Sequence, residues 1–536
     1  MDLQVIVPPT YPEGFEVLFV GEAPGEDECN WHTCPTCNYS SLALFCKKCN
    51  VATISTPEGF VGKSGQLLSK IVFASGLEWS KIAKSNVVKR PPDEGYDSES
   101  FQKTFYETIR EGRKKVIKRT AELESWIELL KDELATHKPK VIVACGAEAL
   151  QALTGSKGIT KYRGSILACS LAPYIPVVPI IHPAAILRSA QWQELYISSE
   201  IISRKVISLL QRQDDWYTPW QETTAPLLED WLDYVKKVNG PFTLDIETRA
   251  GSIACFAVCY NDNGIDRAIC VPIQTTRGPY WQTEEDEYEV WNSLQYLMDN
   301  FPVINHNIFY DLDWLEEYDV IPRDVHDTML LFHRYYPELP KKLAFVNMWF
   351  NDIPYYKDDG STWGYAQPDE KLWHYNIKDA VSTLRAWREL VVLGEDIFKH
   401  ERRLYDEHTR PLLPIAYEMQ QMGMVAEQPE VNFAKGVLEA EFDKIRQKLE
   451  IVSDGQLVIK LGNKKITDQQ VMKYLYSELE LPPIKNRKTK KPTADEDALV
   501  ELLIKFPKLE VLQAINAERK FGKALSSYIN IDWKQE

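Results

Sequence analysis

Residues 242–248 read FTLDIET. Such a run is a strand, and because strand side chains alternate between faces, Asp245 and Glu247 point the same way from one edge of a sheet. Two carboxylates sharing a face disfavour each other's ionisation unless a cation lies between them. Further along, NHNIFYDLDWL (residues 305–315) puts Asp311 near the start of a helix that follows the strand-like VINHN. HYNIKDAVSTLRAW (residues 374–387) then places Tyr375 and Asp379 four residues apart, on one helical face. A tyrosine beside a carboxylate can position, and help deprotonate, a water held by a metal. The strand therefore opens an α/β unit whose carboxylates come from three separate segments.

Upstream, strand-like and helix-like pieces alternate: FEVLFVG, GQLLSKIVFASGL, KPKVIVACG, AEALQALTG and IPVVPII. That alternation predicts a separate α/β domain with a mostly parallel sheet over residues 1–213. The polar, aromatic, proline-punctuated QRQDDWYTPWQETTAP reads as a linker or as the entry to the second domain, residues 214–395. Residues 396–536 read as mainly helical. The expected fold is thus multidomain α/β with a helical C-terminal region, and 536 residues are too many for one ordinary core.

With 44% hydrophobic and 26% charged residues, and no apolar run of eighteen, the composition excludes a helical membrane protein. The start, MDLQVIVPPTYPEGF, lacks a secretory signal, so a cytoplasmic setting without disulfides is expected. Five of the ten cysteines fall between Cys29 and Cys49, and such crowding points to metal. A net charge of −16 leaves local basic patches as the candidate phosphate contacts: Arg110 to Arg119 (REGRKKVIKR) and Lys485 to Lys491 (KNRKTKK). A solvated face is the competing reading of each run, and it competes more closely for the first than for the second.

DIET, NHNIFYD and YNIKD, in that order, resemble the three exonuclease motifs of the proofreading domain of family A DNA polymerases, across about residues 215–395. The resemblance implies a ribonuclease-H-like 3′→5′ exonuclease using two Mg²⁺ or Mn²⁺ ions. It implies that Asp245, Glu247 and Asp379 hold the ion that generates the nucleophile. Asp245 would bridge to a second ion, Asp311 would hold that ion through water, and Tyr375 would orient the nucleophile. Asp327, in VHDTMLL, is expected to be a structural cap.

FVGEAPGEDE, GFVGKSGQLLSKI, SNVVKRPP and IIHPAAILR together resemble family 4 uracil-DNA glycosylases over most of residues 16–190. Enzymes of that kind extrude a nucleotide and read its base in a pocket. By correspondence, Phe60 would stack on the base, Asn86 would bond its pyrimidine edge, and His182 would contact a carbonyl oxygen as charge develops. Glu22, with Glu28 nearby, would orient water. The sequence departs from the family's iron–sulfur pattern: no cysteine precedes Cys29, and NVVK runs straight into Arg90. Instead, CNWHTCPTCNYSSLALFCKKC (residues 29–49) carries two knuckles, Cys34-x-x-Cys37 and Cys46-x-x-Cys49, that can close a structural Zn²⁺ site, with Cys29 or His32 as substitutes. Because this insertion sits in the loop bearing the acids, a DNA-binding or tethering role competes with base excision.

LYDEHTRPLLPIAYEMQQMGMVAE resembles the segment opening the polymerase region of family A enzymes, and the later helices resemble its thumb, with Lys485, Arg487, Lys488, Lys490 and Lys491 suited to phosphates. After Tyr528 only INIDWKQE remains, so palm and fingers are expected from another chain or a longer product. The order of parts suits a bacteriophage replication protein acting on primer-template DNA and single-stranded 3′ ends. Two other readings stand beside the proofreading exonuclease. One is a non-catalytic scaffold that tethers a polymerase to DNA; the other is a repair enzyme that excises uracil and trims ends.

Overall fold

The computed structural model describes residues 5–111, 114–189, 192–212, 215–362, 368–423, 426–458, 466–486 and 492–529. The chain forms two compact units, Met1–Tyr417 and Glu418–Glu536.

The first unit is built on two large sheets. Strands β1 (Val17–Gly21), β2 (Ala83–Asn86), β3 (Val141–Cys145), β4 (Leu167–Ala168) and β5 (Pro176–Ile180) form the first, in the order β4-β5-β3-β1-β2. All neighbours are parallel except β4, which runs antiparallel to β5. Every residue of β1 is buried because both faces are covered, which explains why its sequence is continuously apolar rather than alternating. Val17 and Phe19 pack with Leu68, Ile71 and Val72 of helix α1 (Lys63–Ala74). Leu18 and Val20 face the other way, among Leu123, Ile127 and Leu130 of helix α2 (Ala121–His137).

Strands β6 (Trp220–Thr224), β7 (Phe242–Arg249), β8 (Ser252–Asp262), β9 (Ile265–Pro272), β10 (Val303–Asn305) and β11 (Val325–Asp327) form the second sheet, in the order β6-β9-β8-β7-β10-β11. β7 and β8 are antiparallel, with a register shift at Glu247 and Thr248, and β10 lies parallel to β7. Leu244 and Ile246 point into an apolar core with Trp231, Phe256 and Leu294, so the pleat turns Asp245 and Glu247 to the opposite face. Among the helices of this half are α3 (Ile308–Leu315), α4 (Thr328–Tyr335) and α5 (Asp369–Asp396).

One apolar core runs through both halves, from Val17 and Phe19 through Val206 to Ala257, Trp349 and Leu384. Polar bonds reinforce it. The segment read as a linker is pinned by Tyr217, whose hydroxyl donates to the Ile166 carbonyl at 2.8 Å, and by Arg385, which donates to the Thr218 carbonyl at 2.9 Å. Arg385 also binds the buried Asp266 and the half-buried Asp352.

The second unit is helical, with α6 (Gln428–Val452), α7 (Glu496–Lys505) and α8 (Glu510–Ala524) packing Leu449, Leu499, Leu502, Leu512 and Ile515 together. Lys485 is bridged to Pro492, whereas Arg487, Lys488, Lys490 and Lys491 lie outside the described residues. Among the described residues, no helix is long and apolar enough to cross a membrane.

Candidate functional site

Three groups of functional side chains assemble. In the first, Asp245 and Glu247 from β7 meet Asp379 from α5, each offering an oxygen within 4.8 Å of the others. Asp311 stands apart from this trio. Its carboxylate accepts the Ile246 amide at 3.1 Å, fixing α3 against β7. Burial, then the charge of Asp379, raises the Asp245 carboxyl well above its ordinary range; the same two causes push Glu247 up to about 8. Burial likewise brings Asp311 to about 8. Crowded, desolvated oxygen donors that resist ionisation together are a fit for a hard divalent cation, which removes the repulsion.

Three residues here were not foreseen: Lys357, Tyr356 and Asn376. The Lys357 ammonium lies 2.5 Å from Asp379 and 3.2 Å from the Tyr375 hydroxyl, and the Tyr356 hydroxyl also donates to Asp379. Asn376 donates to the Asp245 carboxylate at 2.7 Å and to its carbonyl at 3.0 Å. Asn376 was legible in principle, three residues before Asp379 on the same helix face. Lys357 sits in an aperiodic stretch, YYKDDGS, that carries no signal. Burial and the neighbouring Asp379, Glu247 and Asp245 raise the Tyr375 phenol. Tyr375 therefore stays protonated and can orient a water, but it is a poor proton acceptor. Asp327 caps α4 by accepting the Met329 and Leu330 amides at 2.8 and 3.1 Å, and it accepts the Ile308 amide at 3.0 Å. It thereby aligns the starts of α3 and α4.

In the second group, Glu28, Phe60, Asn86 and His182 line a cavity of about 320 Å³, although they come from four distant segments. Glycines make it possible. A Cβ on Gly21 would lie 2.3 Å from Asn86 Oδ1, and one on Gly65 would lie 1.8 Å from the Phe60 carbonyl oxygen. Phe60 itself has φ +63°, a left-handed conformation held by its amide bond to Glu28 at 2.8 Å. Glu28 accepts the Gly25 amide through its other oxygen at 3.1 Å, so both its oxygens build the loop. Burial pushes Glu28 up to about 7. Burial, and then the charge of Glu148, does the same to Glu22, which lines an adjoining cavity of about 380 Å³ that also reaches His182. Of the two acids Glu22 is the freer to meet a water. Burial holds His182 down at about 4, so its ring is neutral. Its Nδ1 accepts the Ala184 amide at 3.1 Å, which leaves the proton on Nε2 as a donor.

In the third group, the sulfurs of Cys34, Cys37, Cys46 and Cys49 lie within 4.8 Å of one another. Cys29 and His32 are not part of that group. Four thiols converging from two knuckles are the donor set for a tetrahedral ion such as Zn²⁺. Short pairings frame them: His32–Thr33 with Ser40–Ser41 and Ile54–Ser55, and Phe45–Cys46 with Val51–Ala52. The basic run near residue 115 forms a hairpin, Tyr106–Glu111 with Lys114–Arg119, in which Arg110 stands opposite Lys115.

Residues 8–199 match the family model described as the uracil DNA glycosylase superfamily. The front of this chain is thus similar to that superfamily. The type-4 uracil-DNA glycosylase of Archaeoglobus fulgidus is 26% identical over 199 residues, covering 36% of this chain and 77% of that protein. The type-4 enzyme of Thermotoga maritima is 28% identical over 176 residues, covering 32% of this chain and 67% of its own length. Among solved structures, the POL domain of Pol1 from M. smegmatis, in complex with DNA primer-template and dNTP, aligns with 57% of this chain and 49% of that one, at 18% identity and a TM-score of 0.39. At that score the likeness carries neither fold nor activity across.

Proposed function

We propose that this chain is a DNA-processing enzyme with two centres: a metal-dependent 3′→5′ exonuclease of proofreading type, built on β7, α3 and α5, and a glycosylase-like pocket that receives an extruded base. The observation that carries the first is the convergence of Asp245, Glu247 and Asp379 to within 4.8 Å, with Asp379 buried and Asp245 and Glu247 half-buried. Asp245, Glu247 and Asp379 would hold a Mg²⁺ or Mn²⁺ ion, and Asp311 would assist a second. Such ions supply water activation and charge neutralisation at the scissile phosphate. Asn376 fixes the Asp245 rotamer, Tyr375 donates to the water and aims its lone pair, and Lys357 offers a cation for a phosphate oxygen once it leaves Asp379. Cys34, Cys37, Cys46 and Cys49 would hold a structural Zn²⁺, and the division near residues 213 and 395 belongs to the same reading.

Incubation with 5′-labelled single-stranded DNA and Mg²⁺ should give a ladder shortened from the 3′ end, abolished by Asp245→Ala or Asp379→Ala. Intact DNA with the wild-type protein would refute the reading and leave a DNA-tethering scaffold.

The superfamily match favours a second activity, excision of uracil. In that reaction Asn86 reads the pyrimidine edge, Phe60 stacks on the ring, and neutral His182 donates through Nε2 to the carbonyl oxygen that gains charge. Uracil-containing DNA should acquire alkali-sensitive sites that disappear with Asn86→Ala or His182→Ala. Their absence from the wild-type reaction would leave the pocket as a binding site alone.

A further inference from the structure

We propose that the cysteine-knuckle insertion is itself a nucleic-acid-binding surface, gripping unstacked single-stranded DNA beside the base pocket. This rests on reading that pocket as one for an extruded nucleotide.

Position is the first argument. The insertion leaves the pocket wall at Glu28 and returns at Phe60, and its ends are tied together there. The Thr56 amide donates to the Trp31 carbonyl at 2.8 Å, the Glu58 amide to the Glu28 carbonyl at 3.1 Å, and the Phe60 amide to the Glu28 carboxylate at 2.8 Å. Glu28 and Phe60 both line the cavity. DNA whose base enters the pocket therefore passes the root of this insertion.

The second argument is what the insertion shows to solvent. Its interior is small, with Cys34 and Cys46 of the sulfur cluster and Cys29 beside Glu28 buried. Five large apolar side chains are left outside: Tyr39 is 65% exposed, Leu42 50%, Leu44 71%, Phe45 47% and Ile54 57%. Scattered exposed apolar groups are ordinary, but a cluster on one small module marks an interaction surface.

Charge selects the partner. The chain has 78 Asp and Glu residues, yet none falls between Glu28 and Glu58. The only ionised side chains of ordinary cationic type in that interval are Lys47 and Lys48, both exposed at the second knuckle. A purely apolar protein interface has no need to exclude acids. A polyanion does, and aromatic rings beside lysines are the combination that stacks bases while meeting phosphates.

The test uses the full chain carrying Asp245→Ala, so that DNA is not degraded, and a fluorescein-labelled 20-nucleotide single strand read by anisotropy. Tyr39→Ala with Phe45→Ala should weaken binding roughly 10- to 100-fold. Lys47→Ala with Lys48→Ala should lower the salt dependence of log K by about 1.4. Zinc content, measured by mass spectrometry, checks that each variant folds. Should the alanine pair lose zinc, Tyr39→Leu with Phe45→Leu keeps the apolar bulk and should still weaken binding. Unchanged DNA affinity in zinc-loaded aromatic variants overturns the proposal and marks the face as a protein contact. Uracil-excision assays in parallel, with Asn86→Ala as the pocket control, separate this outcome from failure of the pocket reading. Ribbon variants that bind weakly while wild-type excision is absent support the proposal without the excision chemistry.

Discussion

Gly65→Ala should collapse the base pocket while sparing the carboxylate centre. A methyl at this position, in the first turn of α1, would sit 1.8 Å from the Phe60 carbonyl oxygen and 2.2 Å from its carbon. Ordinary contact needs about 3.5 Å, so the Phe60 peptide must retreat by about 1.5 Å. The hydrogen bond that the Phe60 N–H donates to the Glu28 carboxylate, 2.8 Å long, cannot survive that movement. Overpacking costs about 1–3 kcal/mol, and losing a hydrogen bond to a charged acceptor costs about 1.5–3 kcal/mol. Together the first unit should lose roughly 2.5–6 kcal/mol, and Phe60 should leave its stacking position. The assay is paired: urea unfolding followed by tryptophan fluorescence for stability, and binding of a uracil-containing single strand for the pocket. Binding should fall by at least an order of magnitude while Mg²⁺-dependent shortening of 3′ ends stays near the wild-type rate. A Gly65→Ala protein of wild-type stability that binds uracil DNA normally would refute the packing argument; equal loss of both activities would show that the damage is not local.

Lys357→Met should destabilise the metal-free protein by about 3 kcal/mol, because Asp379 keeps its burial and loses its cation. Added Mn²⁺ should recover most of that loss in a melting experiment, and an unaltered melting temperature in metal-free buffer would contradict the pairing. His182 has a folded pKa of about 4 against an ordinary 6.5, so between those values the unfolded chain takes up a proton that the pocket refuses. Stability should therefore rise with pH across that window, and His182→Gln should remove a component of about 1–2 kcal/mol, allowing for solvent at the pocket mouth. Denaturant titrations of both proteins at pH 4 and pH 7 measure it; parallel pH profiles would count against a buried neutral imidazole. Cys46→Ser should cost the chain its zinc, read as the metal-to-protein ratio after dialysis, and leave exonuclease activity in place. Retention of one equivalent of zinc would exclude Cys46 as a ligand.

Much of this arrangement is written locally. The alternation in FTLDIET turns Asp245 and Glu247 away from the Leu244 and Ile246 core, and a four-residue helical step brings Tyr375 and Asp379 to the same side. The knuckles announce their own convergence, since each pair closes over two intervening residues. What escapes the sequence is contact between segments that share no period. Lys357 reaches Asp379 from an irregular stretch, and Glu28, read as an acid for water, has both oxygens taken up by amides of its own loop. Gly65 looks like an ordinary residue of a helical run; only the close passage of the Phe60 peptide explains why no side chain stands there. The basic run from Arg110 holds as a hairpin because Ile109 faces Val116, a pairing masked by the charges around it.

The continuous core of the first unit has a practical consequence for anyone dissecting the gene. Cutting after codon 213, where the sequence invites it, would part Val206 from Trp349 and leave the buried Lys205 ammonium without the Asn351 carbonyl that receives it. Each piece would then display a greasy wound where it had shared an interior. Made separately, the pieces should precipitate; made together, they should find one another as fragments of a severed protein do, which makes this seam a place for a split reporter rather than for a clean truncation.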